Sequence, residues 1–175
     1  MLIGIDASSF SIACGIIDED ELFSVELFAT KKLPFDERFN ELAPLFDKFL
    51  RRLQPEVVYI EAIPYVNSQN TVIVLSTIIG LIKTICCIHD IPYVMVQNLA
   101  WKKGIGLKGT GPRSKVLKED TQKFVTELYG ITDQLTENLY DAIGIATYGL
   151  IATQPDRTDS VRGNYYHYVG TIQTE

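Results

Sequence analysis

Three short apolar runs crowd into the first 28 residues: Leu2–Ile5, Ser11–Ile17 and Glu21–Phe28, the last two separated only by Asp18-Glu19-Asp20. Parallel neighbours need a crossover of about a dozen residues or more, so strands this close in sequence must pair antiparallel. The chain is thereby committed to a sheet that begins as a meander. The pattern then changes. Phe35, Phe39, Leu42, Leu45, Phe46, Phe49 and Leu50 repeat at helical period after Pro34, and Pro55 separates them from an apolar run, Val57 to Glu61. Ser68 to His89 reads as a long helix, Tyr93 to Val96 as a short strand after Pro92, and Gly104 to Gly111 as a glycine-rich loop. A basic helix from about Ser114 to Tyr129 and a last helix from about Thr136 to Ala152 follow, then a polar, tyrosine-rich tail over residues 154–175. The order β-β-β-α-β-α-β-α-α predicts an α/β domain over residues 1–153. Its mixed five-stranded sheet has three antiparallel strands, then parallel ones, flanked by helices.

Two of these strands end in an acid. Asp6 closes Leu2–Ile5 and Glu61 closes Val57–Ile60, while Asp141 interrupts the apolar stretch Leu139 to Ile151. A carboxylate at the tip of a buried strand is costly unless compensated. If the first and fourth strands lie side by side, Asp6 and Glu61 meet at one edge of the sheet and Asp141 faces them from a helix. Clustered carboxylates call for cations between them. Hard oxygen ligands of this kind hold magnesium, or manganese, and serve phosphate chemistry. Asp6 is best placed to bridge two ions about 4 Å apart, with Glu61 and Asp141 completing one each. A metal-dependent nuclease is the first expectation.

The charge distribution agrees. The net charge of −6 alone argues against nucleic acid, but Trp101 to Lys123 holds seven basic residues against two acids. Lys102, Lys103, Lys108, Arg113, Lys115, Lys118 and Lys123 read as a basic stripe for a polyanion on an otherwise acidic body. Lys118, and one of Lys102 or Lys103, are expected close to the scissile phosphate. Gly104, Gly106 and Gly109 formally match a dinucleotide fingerprint, yet no strand abuts the motif and Tyr129 stands where the ribose-binding acid belongs. No nucleotide cofactor is expected, and a lysine-studded backbone suits DNA phosphate better.

Cys14, Cys86 and Cys87 lie in apolar stretches without metal-ligand spacing, which reads as the core of a reduced, cytoplasmic protein. Met1 leads straight into a strand, without a signal-peptide pattern. Val72 to Ile88 is apolar nearly all round but carries Lys83 and hydroxyls. It predicts a buried helix rather than a membrane span, with one face left over for a second copy of the chain. His89 is expected to cap that helix, and Trp101, the one tryptophan, to anchor the basic loop.

Five landmarks in order make the chain similar to the RuvC family of Holliday-junction resolvases, within the RNase H-like superfamily. They are Ile3-Gly4-Ile5-Asp6 with a serine-rich turn; Tyr59-Ile60-Glu61 leading to Asn67; Trp101-Lys102-Lys103; Gly109-Thr110-Gly111 with Lys118; and Asp141-Ala142-Ile143-Gly144-Ile145-Ala146. The likeness spans about Leu2 to Leu150. It implies a homodimer that nicks two opposed strands of a four-way DNA junction with divalent metal, using Asp6, Glu61 and Asp141. It also implies DNA contacts from Asn67 and from an aromatic that stacks on bases at the junction centre, here Tyr65. One position departs from the family. An acid or a histidine usually stands three residues before the last aspartate, and this chain has Asn138. Asn138 and Asp141 share a helix face, so Asn138 can still offer a metal a neutral carbonyl oxygen. Two origins fit it: a natural feature, or an Asp→Asn substitution that traps uncut DNA.

Other readings remain. A different RNase H-like nuclease acting on branched DNA or RNA–DNA hybrid would share the metal chemistry. A catalytically weak junction-binding protein is compatible with Asn138. An actin-like ATPase also opens with Gly-Ile-Asp, but needs a duplicated domain that 175 residues cannot hold.

Overall fold

The computed structural model describes residues 1–29, 34–107, 118–153 and 169–173. β1 (Leu2–Ala7), β2 (Ser11–Asp18) and β3 (Glu21–Ala29) form the expected meander, followed by α1 (Phe35–Leu53), β4 (Val57–Glu61), α2 (Gln69–Ile88) and β5 (Tyr93–Val96). Then come α3 (Asn98–Gly104), α4 (Lys118–Tyr129), α5 (Glu137–Thr153) and β6 (Val169–Gln173). The sheet order is β5-β4-β1-β2-β3-β6. The first five strands are therefore the mixed sheet expected, with β1 antiparallel to β2, β2 antiparallel to β3, and β4 parallel to both β1 and β5.

Strand alternation sorts the core into two layers. Ile3 and Ile5 of β1, with Val58 and Ile60 of β4, face α1 and α2. Leu2 of β1 faces the opposite side, where α4 and α5 pack, and Tyr59 of β4 meets α3 and α5 there. Successive side chains alternate across a strand, so Asp6 and Glu61 fall on the α5 side. β1 and β4 pair as Leu2↔Val57 through Ile5↔Ile60, which brings Asp6 and Glu61 out at the same level of the sheet. α5 comes very close to that sheet because Gly4 and Gly15, paired across β1 and β2, have no side chains to hold it off.

Three features differ from the sequence expectation. α3 occupies the stretch just after β5, where seven residues are too few to show a helical period. β6 adds a sixth strand parallel to β3 from within the stretch read as a tail. α2, as expected, covers the sheet with one face and leaves the other open, and the third difference lies there. Leu75, Ile78, Ile79, Ile82, Ile85 and Cys86 pack inward, while Ile73, Ser76, Gly80, Thr84, Cys87 and Ile88 are exposed along the other side. Cys87 is accordingly a surface residue, not the core residue expected, whereas Cys14 and Cys86 are buried; all three thiols are free. By length and composition α2 could cross a membrane, but its inward face belongs to the core shared with α1 and the sheet. His89 takes the C-terminal cap as expected, and its Nε2 lies 2.7 Å from Asp47 Oδ1 of α1.

Candidate active site

Asp6, Glu61 and Asp141 are brought together. β1 and β4 deliver the first two, and the close seat of α5 on Gly4 brings Asp141, in the helix's second turn, over the strand end. Burial pushes the Asp6 carboxyl up to about 8; Glu61 and then Asp141 add repulsion, a hydrogen bond to Glu61 favours the protonated form, and Lys102 opposes. Asp6 is thus the centre of an acidic group whose full ionisation near neutral pH a cation would favour.

Other side chains from the neighbouring elements hold this group. Asn98 Nδ2 donates to Glu61 Oε1 at 2.6 Å, and Trp101 Nε1 donates to the same oxygen at 2.9 Å. Lys102 Nζ stands 3.9 Å from Asp141 Oδ2 and 4.9 Å from the centre of the Trp101 ring. Among the described residues no three His, Cys, Asp or Glu side chains enclose an ion-sized space. The three carboxylates are linked through Asp6 rather than closed into a shell. The donor set nonetheless fits magnesium or manganese: it is all oxygen and carries more negative charge than Lys102 offsets.

The remaining expected site residues divide. Lys102 is 6% exposed and so is no part of a surface stripe. α3 turns it inward beside Trp101, where Asp141 supplies the counter-charge that burial demands. That correction still leaves it at the acidic group, through Asp141. Lys103 is exposed on the same helix, Asn67 is exposed just before α2, and Tyr65 is 95% exposed beyond β4. Lys108, Arg113 and Lys115 lie outside the described residues; Lys118 opens α4, and its side chain lies outside them too. Asn138 is half-buried in the first turn of α5. Its Nδ2 donates to Ser11 Oγ at 3.3 Å, and Ser11 in turn pairs with Ser8 Oγ at 2.8 Å.

Sequence reasoning missed Asn98, and placed Trp101 as an anchor without its bond to Glu61. It also missed Arg38 of α1, which is buried, donates to the Ser9 carbonyl and lies 4.6 Å under the exposed Phe10 ring. Arg38 thereby braces the turn that follows Asp6. None of these lies near Asp6, Glu61 or Asp141 in sequence, so no local pattern ties them to the site.

Two strand ends and a covering helix thus gather three acids at one edge of a mixed sheet. Over residues 2–148 the chain matches the family model of the crossover junction endodeoxyribonuclease RuvC, and it belongs to that family. It is 28% identical over 137 residues to the crossover junction endodeoxyribonuclease RuvC of Fusobacterium nucleatum, covering 75% of this chain and 70% of that one. Among solved structures it resembles Thermus thermophilus RuvC in complex with a Holliday junction substrate, with a TM-score of 0.73 at 18% identity over 87% of this chain and 94% of that one. The Fowlpox virus resolvase, solved with Holliday junction DNA, gives a TM-score of 0.56 at 15% identity over 87% of this chain and 98% of that one. At these identities the two structures speak for the fold.

Asn138→Asp is expected to raise cleavage activity or lower the metal concentration needed for half-maximal rate. An aspartate would accept from the Ser11 hydroxyl where the asparagine amide now donates to it, and would add a full charge on the helix face that carries Asp141. Titrating the rate with magnesium checks this; a curve identical to that of the parent would remove position 138 from the metal site.

Proposed function

We propose that this protein resolves four-way DNA junctions as a homodimer, hydrolysing phosphodiester bonds with magnesium or manganese held by Asp6, Glu61 and Asp141. The observation that carries the reading is the convergence of those three carboxylates at one edge of the sheet, strongly enough that Asp6 resists ionisation. Held there, a pair of ions would supply the chemistry of both reacting oxygens, activating a water and stabilising charge on the departing 3′ oxygen. The protein's own groups do the rest. Lys102, buried beside Asp141, brings a positive charge to the phosphate's side of the acidic group. Lys103 contacts the DNA backbone from the exposed side of α3, and Lys108, Arg113, Lys115 and Lys118 extend that contact along the chain. Tyr65, projecting into solvent past Glu61, stacks on a base at the junction centre, with Asn67 beside it; such stacking contributes about 1–3 kcal/mol per base. Asn138 holds the start of α5 against Ser11, and can turn its carbonyl oxygen to a metal.

The exposed side of α2 is the surface for the second copy. Ile73, Ser76, Gly80, Thr84 and Cys87 recur every three or four residues, giving a flat, nearly uncharged face suited to a self-complementary contact. A two-fold dimer presents two sites related by the dyad, matching two opposed strands of one junction. Three reduced thiols and DNA as substrate suit action in the cytoplasm.

The test is cleavage of a synthetic four-way junction beside linear duplex and RNA–DNA hybrid, with and without magnesium, on protein whose mass is fixed by sedimentation. Paired nicks in the junction alone, with metal, from a dimer are expected. Gly80→Arg should give monomers that nick singly. Preferred cutting of the hybrid would put the hybrid nuclease in its place, and a monomeric parent would rule out the dimer.

A further inference from the structure

Glu61 is held differently from the other two acids. Asp141 faces an ammonium, whereas Glu61 Oε1 accepts two neutral donors, Asn98 Nδ2 at 2.6 Å and Trp101 Nε1 at 2.9 Å. Both donors come from α3, three residues apart and therefore on one side of the helix. Trp101 has no freedom to turn away. It is fully buried, and its ring lies so close to α5 that a methyl on Gly144 would stand 2.6 Å from Cζ3.

We propose that Asn98 and Trp101 are positioning residues that orient Glu61 for the divalent ion without neutralising it. The inference rests on the metal reading given above. A glutamate on a strand end has three rotatable bonds, and fixing them costs side-chain entropy. Two donors meeting at one oxygen meet that cost in advance of metal binding. A lysine in their place would also fix the carboxylate, but would cancel the charge that attracts the cation. An indole N–H only donates, so Trp101 cannot compete for the ion, and the Asn98 amide has its nitrogen turned to Glu61. A carboxylate offers about four lone-pair sites, so Asn98 and Trp101, even with the Asp6 hydrogen bond, leave acceptor capacity for a cation. The close packing of Trp101 on Gly144 makes α5, which carries Asp141, the wall against which Glu61 is set.

The test is Mn2+ binding, read directly from the free-ion electron paramagnetic resonance signal of intact protein without DNA. Asn98→Ala and Trp101→Phe should each weaken Mn2+ affinity about 10- to 100-fold, the usual loss when a partner that orients a metal ligand is removed. Trp101→Phe keeps an aromatic ring in the pocket but removes the N–H. Asn98 is only partly buried, so its alanine variant should keep the parent's melting temperature and metal-free junction affinity. Because Trp101 is the one tryptophan, its emission in the Asn98→Ala variant reports Mg2+ binding, and the midpoint should move to higher Mg2+ by the same factor. Saturating Mg2+ should return most of the cleavage rate. Asp6→Asn serves as the reference. If the parent binds Mn2+, Asp6→Asn does not, and Asn98→Ala binds like the parent, then the positioning role is overturned while the metal site stands. If the parent itself binds no Mn2+, or Asp6→Asn binds it equally well, both readings fall.

Discussion

Asp6→Asn should abolish junction cleavage while leaving junction binding intact or tighter. The metal's stabilisation of charge in the transition state is worth several kcal/mol, and each 1.36 kcal/mol is a factor of ten. The loss in rate should thus be on the order of a thousandfold or more. Binding should hold because removing a negative charge beside DNA phosphate reduces repulsion. The same substitution should have the opposite effect on the metal-free fold. Asp6 is raised from 3.8 to about 8, chiefly by burial and then by Glu61 and Asp141. Between those two values the folded protein retains a proton that the unfolded chain has released. The stability of the metal-free parent must therefore fall as pH rises through that window. Asparagine has no proton to lose, so the stability of Asp6→Asn should vary less with pH and exceed the parent's toward pH 8. Magnesium should close the gap by stabilising the parent alone. Melting curves at several pH values, with and without magnesium, check this. Parallel pH dependence in the two proteins would mean that Asp6 is not the group under strain.

The acidic edge was legible because strand periodicity is short and strict. Once Leu2–Ile5 and Val57–Ile60 read as strands, the final acid of each had only two faces to choose from. Parallel pairing in register then placed both on the same one. Asp141 was legible from its cost, since an acid inside an apolar helix needs a reason. α3 was not. Its seven residues carry no period, and the lysines that follow Trp101 read as surface by composition. Only the tertiary position of α3, wedged between β4 and α5, turns Lys102 inward and gives Trp101 and Asn98 their partner. β6 escaped for a related reason: Val169–Gln173 is too short to be told from the polar residues before it until the open edge of β3 is there to pair with. α2 read as apolar all round because Gly80, Thr84 and Cys87 do not interrupt a hydrophobic count. The structure separates them from Leu75, Ile78 and Ile82 as an outward face.

Gly4→Ala should cost far more than a methyl group usually does. A side chain there would run into Ala146 N and Ala142 O, and would stand 2.8 Å from Ala146 Cα. All three are backbone atoms of α5, so no side-chain rotation can make room. Gly15, its partner on β2, is placed alike, with a methyl 2.7 Å from Ile143 Cα. The two glycines form a floor on which the helix backbone rests directly, and the helix must lift or tilt if either gains a side chain. Overpacking of this kind costs about 1–3 kcal/mol and sometimes more. Activity should suffer beyond that. Asp141 precedes Ala142, so the lift acts one residue away from the acid that has to reach Asp6. A displacement of about 1 Å at a reacting centre can cost about a hundredfold in rate. Gly4→Ala should therefore show a lowered urea midpoint and, under conditions where it is fully folded, weaker Mn2+ binding and slower cleavage. Wild-type metal affinity in a destabilised but folded variant would mean that α5 reaches the acidic group independently of its seat on the sheet. The expected coupled loss would show that glycine at position 4 sets the height of the helix, and through it the distance between the acids that make the site.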